Sequence, residues 1–71
     1  MDVKSEIYAI VRSIEVAEGQ EVAADDVLMI LESMKMEVPV NAPAAGRVRS
    51  IAVAVGDGVE EDEVLMVLDP S

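Results

Sequence analysis

Displacing the sequence by 37 positions lays Val11–Glu32 over Val48–Asp69, and thirteen of the twenty-two paired residues are identical. Val11-Arg12-Ser13-Ile14 returns as Val48-Arg49-Ser50-Ile51. Val16, Ala17, Gly19, Val22 and Asp25 return as Val53, Ala54, Gly56, Val59 and Asp62. Val27-Leu28-Met29, with Leu31, returns as Val64-Leu65-Met66, with Leu68; Glu32 and Asp69 close the copies with an acid. Two copies are too few for a stacked array, whose units need about three repeats to bury a core. The duplication therefore predicts two halves folded onto one another about a pseudo-twofold axis.

Each copy reads as strand, turn, short strand, turn, strand. Val11–Val16 carries Val and Ile between polar residues, but its in–out phase slips between Arg12 and Ser13, which predicts a bulge. Gly19 and Gly56 mark the following turns. Val27–Leu31 and Val64–Leu68 are short apolar runs, too short for helices and suited to strands in a sandwich core. Pro39, Pro43 and Pro70 suit strand ends or edges, where a missing N–H is tolerated. The fold class is all-β, with two small antiparallel sheets that exchange strands.

The chain has 71 residues, the length of one domain, 1–71. Tyr8 is its sole aromatic residue, too little for a stacking platform. There is no His and no Cys, which excludes thiol nucleophiles, Ser–His relays and ordinary zinc sites. Carboxylates such as Asp25–Asp26 and the Glu60–Glu63 run fit solvated turns better than a catalytic or calcium pair. A net charge of −10 argues against nucleic acid and anionic membranes as partners, and keeps an apolar core soluble. Asp2, Lys4 and Glu6 interrupt any early apolar run, and no disulfide framework exists, so the expected location is cytoplasmic.

Between the copies lies Ser33-Met34-Lys35-Met36-Glu37-Val38-Pro39-Val40-Asn41. It leaves one apolar strand and enters another, Met36–Val40, so the chain should reverse near Met34–Lys35 and hold Lys35 in water at a hairpin tip. An ordinary lysine, with a pKa of about 10.4, is neutral in roughly one molecule in a thousand at pH 7. Lysine nucleophiles need burial or nearby cations to change that; here Glu32 and Glu37 flank Lys35 instead. Lys35 cannot activate itself, but it can accept an acyl group brought by another enzyme.

Glu32-Ser33-Met34-Lys35-Met36-Glu37 resembles the biotin attachment motif of biotin carboxyl carrier proteins, in which Met-Lys-Met marks the acylated lysine. Ala42-Pro43-Ala44-Ala45-Gly46 resembles the family's Ala-Pro-x-x-Gly element. The resemblance covers essentially the whole chain. It implies a flattened barrel or sandwich of two four-stranded antiparallel sheets with pseudo-twofold symmetry, the lysine on the hairpin between the halves. The chain departs from the family at Ser5-Glu6-Ile7-Tyr8-Ala9, where relatives carry a Pro and Gly version, and at Ser33, where Ala is common. Asp25 and Asp62 stand where relatives often have Gly; aspartate tolerates left-handed backbone better than most residues. No insertion resembles the protruding thumb of some bacterial carriers. Met1, with no Ala/Pro-rich linker, suggests a stand-alone carrier.

The family implies biotin as a covalent amide on Lys35, attached by a biotin protein ligase. The expected function is that of a non-catalytic carrier, monomeric in isolation. It shuttles carboxybiotin between a biotin carboxylase and a carboxyltransferase. Met34 and Met36, with Glu32 and Glu37, are the expected recognition neighbours. Against this, one methionine could simply pack on the sandwich edge, and the two glutamates could be plain solvated charges. Met29 and Met66, which repeat each other, belong to the core. Two other readings remain open: a lipoyl carrier, whose usual Asp-Lys-Ala conflicts with Met34 and Met36, and an unmodified structural or adaptor sandwich.

Overall fold

Apolar residues turn inward at matching positions of the two copies, and this alternation builds the sheets. The computed structural model describes residues 1–70. Its strands are β1 (Asp2–Lys4), β2 (Ala9–Ile14), β3 (Glu21–Val22), β4 (Val27–Ser33), β5 (Met36–Asn41), β6 (Gly46–Ile51), β7 (Gly58–Val59) and β8 (Val64–Pro70). They form two four-stranded antiparallel sheets, ordered β1-β8-β6-β3 and β5-β4-β2-β7. The shift of 37 that superposes the sequence copies carries β2, β3 and β4 onto β6, β7 and β8 residue for residue. Each half places strands in both sheets, so neither half can close a core alone.

Five related pairs fill the space between the sheets: Val11 and Val48, Val22 and Val59, Leu28 and Leu65, Met29 and Met66, Leu31 and Leu68. All ten are buried, joined by Val3, Ala9 and Ala42. Each such large side chain contributes about 1.5–3 kcal/mol through its removal from water. The phase slip in the sequence is a real bulge. The register of β2 against β4 shifts between Val11 and Ser13, and that of β6 against β8 between Val48 and Ser50.

Turns repeat as well. Backbone N–H groups of Gln20, Asp26, Asp57 and Glu63 donate to the carbonyls of Ala17, Ala23, Ala54 and Glu60. In return the same four side chains accept from the N–H of those residues. The third residue of each turn has positive φ: Gly19 at 88°, Asp25 at 70°, Gly56 at 96° and Asp62 at 68°. That is the type II pattern, which favours Gly at this position. The acid-rich stretches are thus turn caps, with Asp25 and Asp62 in the left-handed backbone their place implied.

Three boundaries differ from the sequence expectation. The strand expected over Val11–Val16 runs Ala9–Ile14 and its partner Gly46–Ile51, because the buried Ala9 and Gly46 are already paired in the ladders, Ala9 with Val59 and Gly46 with Val22 and Pro70. At Gly46 a Cβ would collide with the backbone carbonyl of Asp69. The strands expected to end at Leu31 and Leu68 continue to Ser33 and Pro70, since the ladder holds through polar residues once a partner strand is present. The short β1 had no pattern of its own; only Val3 faces the core.

Candidate functional site

Strands β4 and β5 pair from Met29↔Val40 through Ile30↔Pro39, Leu31↔Val38 and Glu32↔Glu37 to Ser33↔Met36. Two residues are left to turn the chain, Met34 and Lys35, with φ of 53° and 65°. Positive φ at both central residues is the signature of a type I′ hairpin, whose twist matches that of the strands it joins. Asn-Gly is the usual solution. Met-Lys holds two side chains in left-handed backbone at roughly 1–2 kcal/mol each, a strain of the kind that collects at functional positions. A glycine would relax the turn but offer no amine.

Lys35 is exposed, at the tip between the two halves. It forms no ion pair or side-chain hydrogen bond within the described residues. Met34 is 93% exposed and Met36 68%, which removes the reading of either as packing filler at the sandwich edge. Met29 and Met66 lie fully inside, as their repetition implied. Exposed thioethers on either side of an exposed amine make a soft, adaptable surface.

Glu32 and Glu37 face each other across the β4–β5 ladder, a like-charge pairing that is unfavourable alone. Arg12, on the adjacent β2, resolves it. Its Nη1 lies 2.7 Å from Glu32 Oε1 and its Nε 3.2 Å from Glu37 Oε2. Both glutamates are paired with Arg12 while staying solvent-accessible. Together they form a bridged pair beneath the hairpin, their remaining oxygens open to water. Sequence reasoning missed Arg12. The signal was present in the repeat, where each copy carries an Arg at its start and an acid at its end; in the second copy Arg49 lies 3.6 Å from Asp69.

Lys4, the other lysine of the sequence, sits at the end of β1 paired with Val64 in the opposite sheet. It has neither the turn nor the methionines.

A covalent group suits this arrangement. Acylation of the Lys35 nitrogen displaces no partner, crowds no buried atom and leaves the ladder below intact.

Comparison with known proteins agrees with this geometry. A protein from Mycobacterium leprae described as a homologue of biotinylated protein TB7.3 is 53% identical over 47 residues, 66% of each chain. The corresponding protein of Mycolicibacterium smegmatis is 51% identical over 41 residues, 58% of each chain. These alignments span just under two thirds, and somewhat over half, of the relatives' own lengths. Among solved structures, a single-chain, multi-domain long-chain acyl-CoA carboxylase superposes with a TM-score of 0.95 at 27% identity, over 100% of this chain and 7% of the carboxylase. The urea carboxylase of Kluyveromyces lactis superposes at 0.92 with 32% identity, over 97% of this chain and 6% of that enzyme. The family model described as biotin-requiring enzyme matches residues 3–68, and the chain belongs to that biotin/lipoyl attachment family.

Proposed function

We propose that this protein is a biotin carrier whose attachment point is Lys35. One observation carries the reading: a solvent-facing lysine held on a strained two-residue turn between exposed methionines. When bound, biotin supplies a ureido nitrogen that accepts and releases a carboxyl group.

The chain's own contribution is display. The Lys35 ammonium would give one proton to a base of the ligase, and its nitrogen would attack the acyl carbon of biotin presented as an acyl-adenylate. AMP would depart as the nitrogen sheds its second proton, so that an amide replaces the ammonium. The β4–β5 ladder and the Arg12 bridge hold the base of the hairpin while the side chain beyond it stays free. Tethering then turns encounters with two separate active sites into near-intramolecular events. The carrier serves a biotin carboxylase and a carboxyltransferase and performs neither reaction itself. The similarity to segments of two carboxylases supports that role.

Intact-mass measurement after co-expression with a biotin protein ligase tests the proposal. The expected result is one added biotinyl group, abolished by Lys35→Arg with the fold unchanged. Addition of a lipoyl group, or no addition to the wild type, overturns it.

A further inference from the structure

A duplicated fold poses a recognition problem, because its two outer sheet faces descend from the same pattern. The copies themselves show where the faces have diverged. On the sheet without the hairpin, one row across the strands reads Glu21, Arg47 and Asp69. It is polar, and Arg47 is tied to Glu21 at 2.7 Å. The related row on the hairpin sheet reads Gly58, Ile10 and Glu32, continuing to Glu37. Ile10 is 49% exposed there, with no ion pair to make and no side chain opposite it on β7. Tyr8 occupies the position related to Ala45 and is 67% exposed. Its hydroxyl lies 3.8 Å from where a Cβ of Gly58 would stand, so the glycine leaves this surface open to the ring.

The direction of the strands places this patch. β2 runs antiparallel to β4 with Ile10 opposite Glu32. Stepping back from Ile10 to Tyr8 therefore runs the same way as stepping forward from Glu32 to Met34. Tyr8 therefore lies on the side of Ile10 toward the hairpin. Acids frame the patch: Glu32 and Glu37 on one side, and Asp57 and Glu60 bracketing β7 on the other.

We infer that Tyr8 and Ile10, beside Gly58, form the docking surface by which a biotin protein ligase selects the hairpin face of this carrier. The inference rests on the carrier reading of Lys35. A ligase must hold an acyl-adenylate, whose phosphate is anionic, so cationic groups surround the point where the lysine enters; the acidic frame complements them. Tyrosine gives a large contact area at low entropic cost and is favoured at binding hot spots. Because the patch breaks the internal symmetry, it tells the hairpin face from its polar twin.

The test is steady-state biotinylation of the full chain by a bacterial biotin protein ligase with biotin and ATP. The substrates are wild type, Tyr8→Ala, Ile10→Thr and the double variant; none of these changes alters charge. Ala45→Ser, at the exposed position of the second half related to Tyr8, serves as a control. Melting curves identify any variant that is unfolded, and the remaining single variant then carries the test. The expected result is a KM raised about tenfold in the double variant with kcat unchanged, and no effect of the control. A KM within twofold of wild type, or an equal rise in the control, overturns the inference. So does a wild-type dimer that the double variant dissociates, which would assign the patch to a second copy. A wild type that accepts no biotin removes the carrier reading as well; a biotinylated wild type with unaltered variant kinetics removes this inference alone.

Discussion

Replacing Met34 by Asn should stabilise the protein, whereas the same replacement two residues later, at Met36, should destabilise it. Both side chains are mostly in water, at 93% and 68% exposure, so neither change removes much buried surface. The backbone separates them. Met34 has φ of 53°, where a residue of its shape costs roughly 1–2 kcal/mol, and Asn is the preferred first residue of a type I′ turn. Met34→Asn should recover about 0.5–1 kcal/mol of that cost. Met36 opens β5 opposite Ser33 in ordinary extended backbone, where Asn is disfavoured; Met36→Asn should cost about 0.5 kcal/mol. For a domain of this size, 1 kcal/mol moves the midpoint by about 4–8 °C. Thermal melts followed by circular dichroism should therefore show Met34→Asn about 2–8 °C above wild type and Met36→Asn about 2–4 °C below. Equal shifts, or a lower midpoint for Met34→Asn, would refute the view that the turn is held under strain to present its side chains.

Other perturbations follow from the same geometry. Asp25→Gly and Asp62→Gly relieve left-handed backbone at 70° and 68°; each should raise stability by about 0.5 kcal/mol in urea titration, the relief being partly offset by greater freedom of the unfolded chain. Gly46→Ala should cost about 1–3 kcal/mol, since its methyl meets the Asp69 carbonyl, while Ala9→Gly at the related position should cost less; calorimetry compares the two. Arg12→Ala leaves Glu32 and Glu37 facing each other unbridged, and should lower stability by about 0.2–1 kcal/mol at low salt. That deficit should shrink in denaturation curves at high salt, because every group involved is solvent-accessible.

Much of the fold could be read from the repeat. The repetition of Met29 as Met66 placed both in the core, the runs Val27–Leu31 and Val64–Leu68 marked the core strands, and the phase slip at Arg12 located the bulge. The reversal at Met34–Lys35 followed from two strands meeting with nothing between them but polar and flexible residues. Three things were not legible. β1 has a single inward residue, Val3, and exists because β8 offers it an edge, which no local pattern records. The Arg12 bridge joins residues on three neighbouring strands, so it depends on a register that composition cannot fix. Tyr8 and Ile10 fall outside the strand expected over Val11–Val16, and only their exposure made the comparison with Ala45 and Arg47 in the other half informative. Sequence periodicity says which residues can share a face; pairing decides what lies beside them.

The most direct measurement is site-resolved mass spectrometry of the wild-type chain after incubation with biotin protein ligase, biotin and ATP. The sequence contains two lysines, so the experiment has a built-in competitor. Biotin found on the peptide bearing Lys35, with Lys4 unmodified, is the outcome required if the turn selects the nitrogen. Biotin on Lys4, or divided between the two, would contradict it.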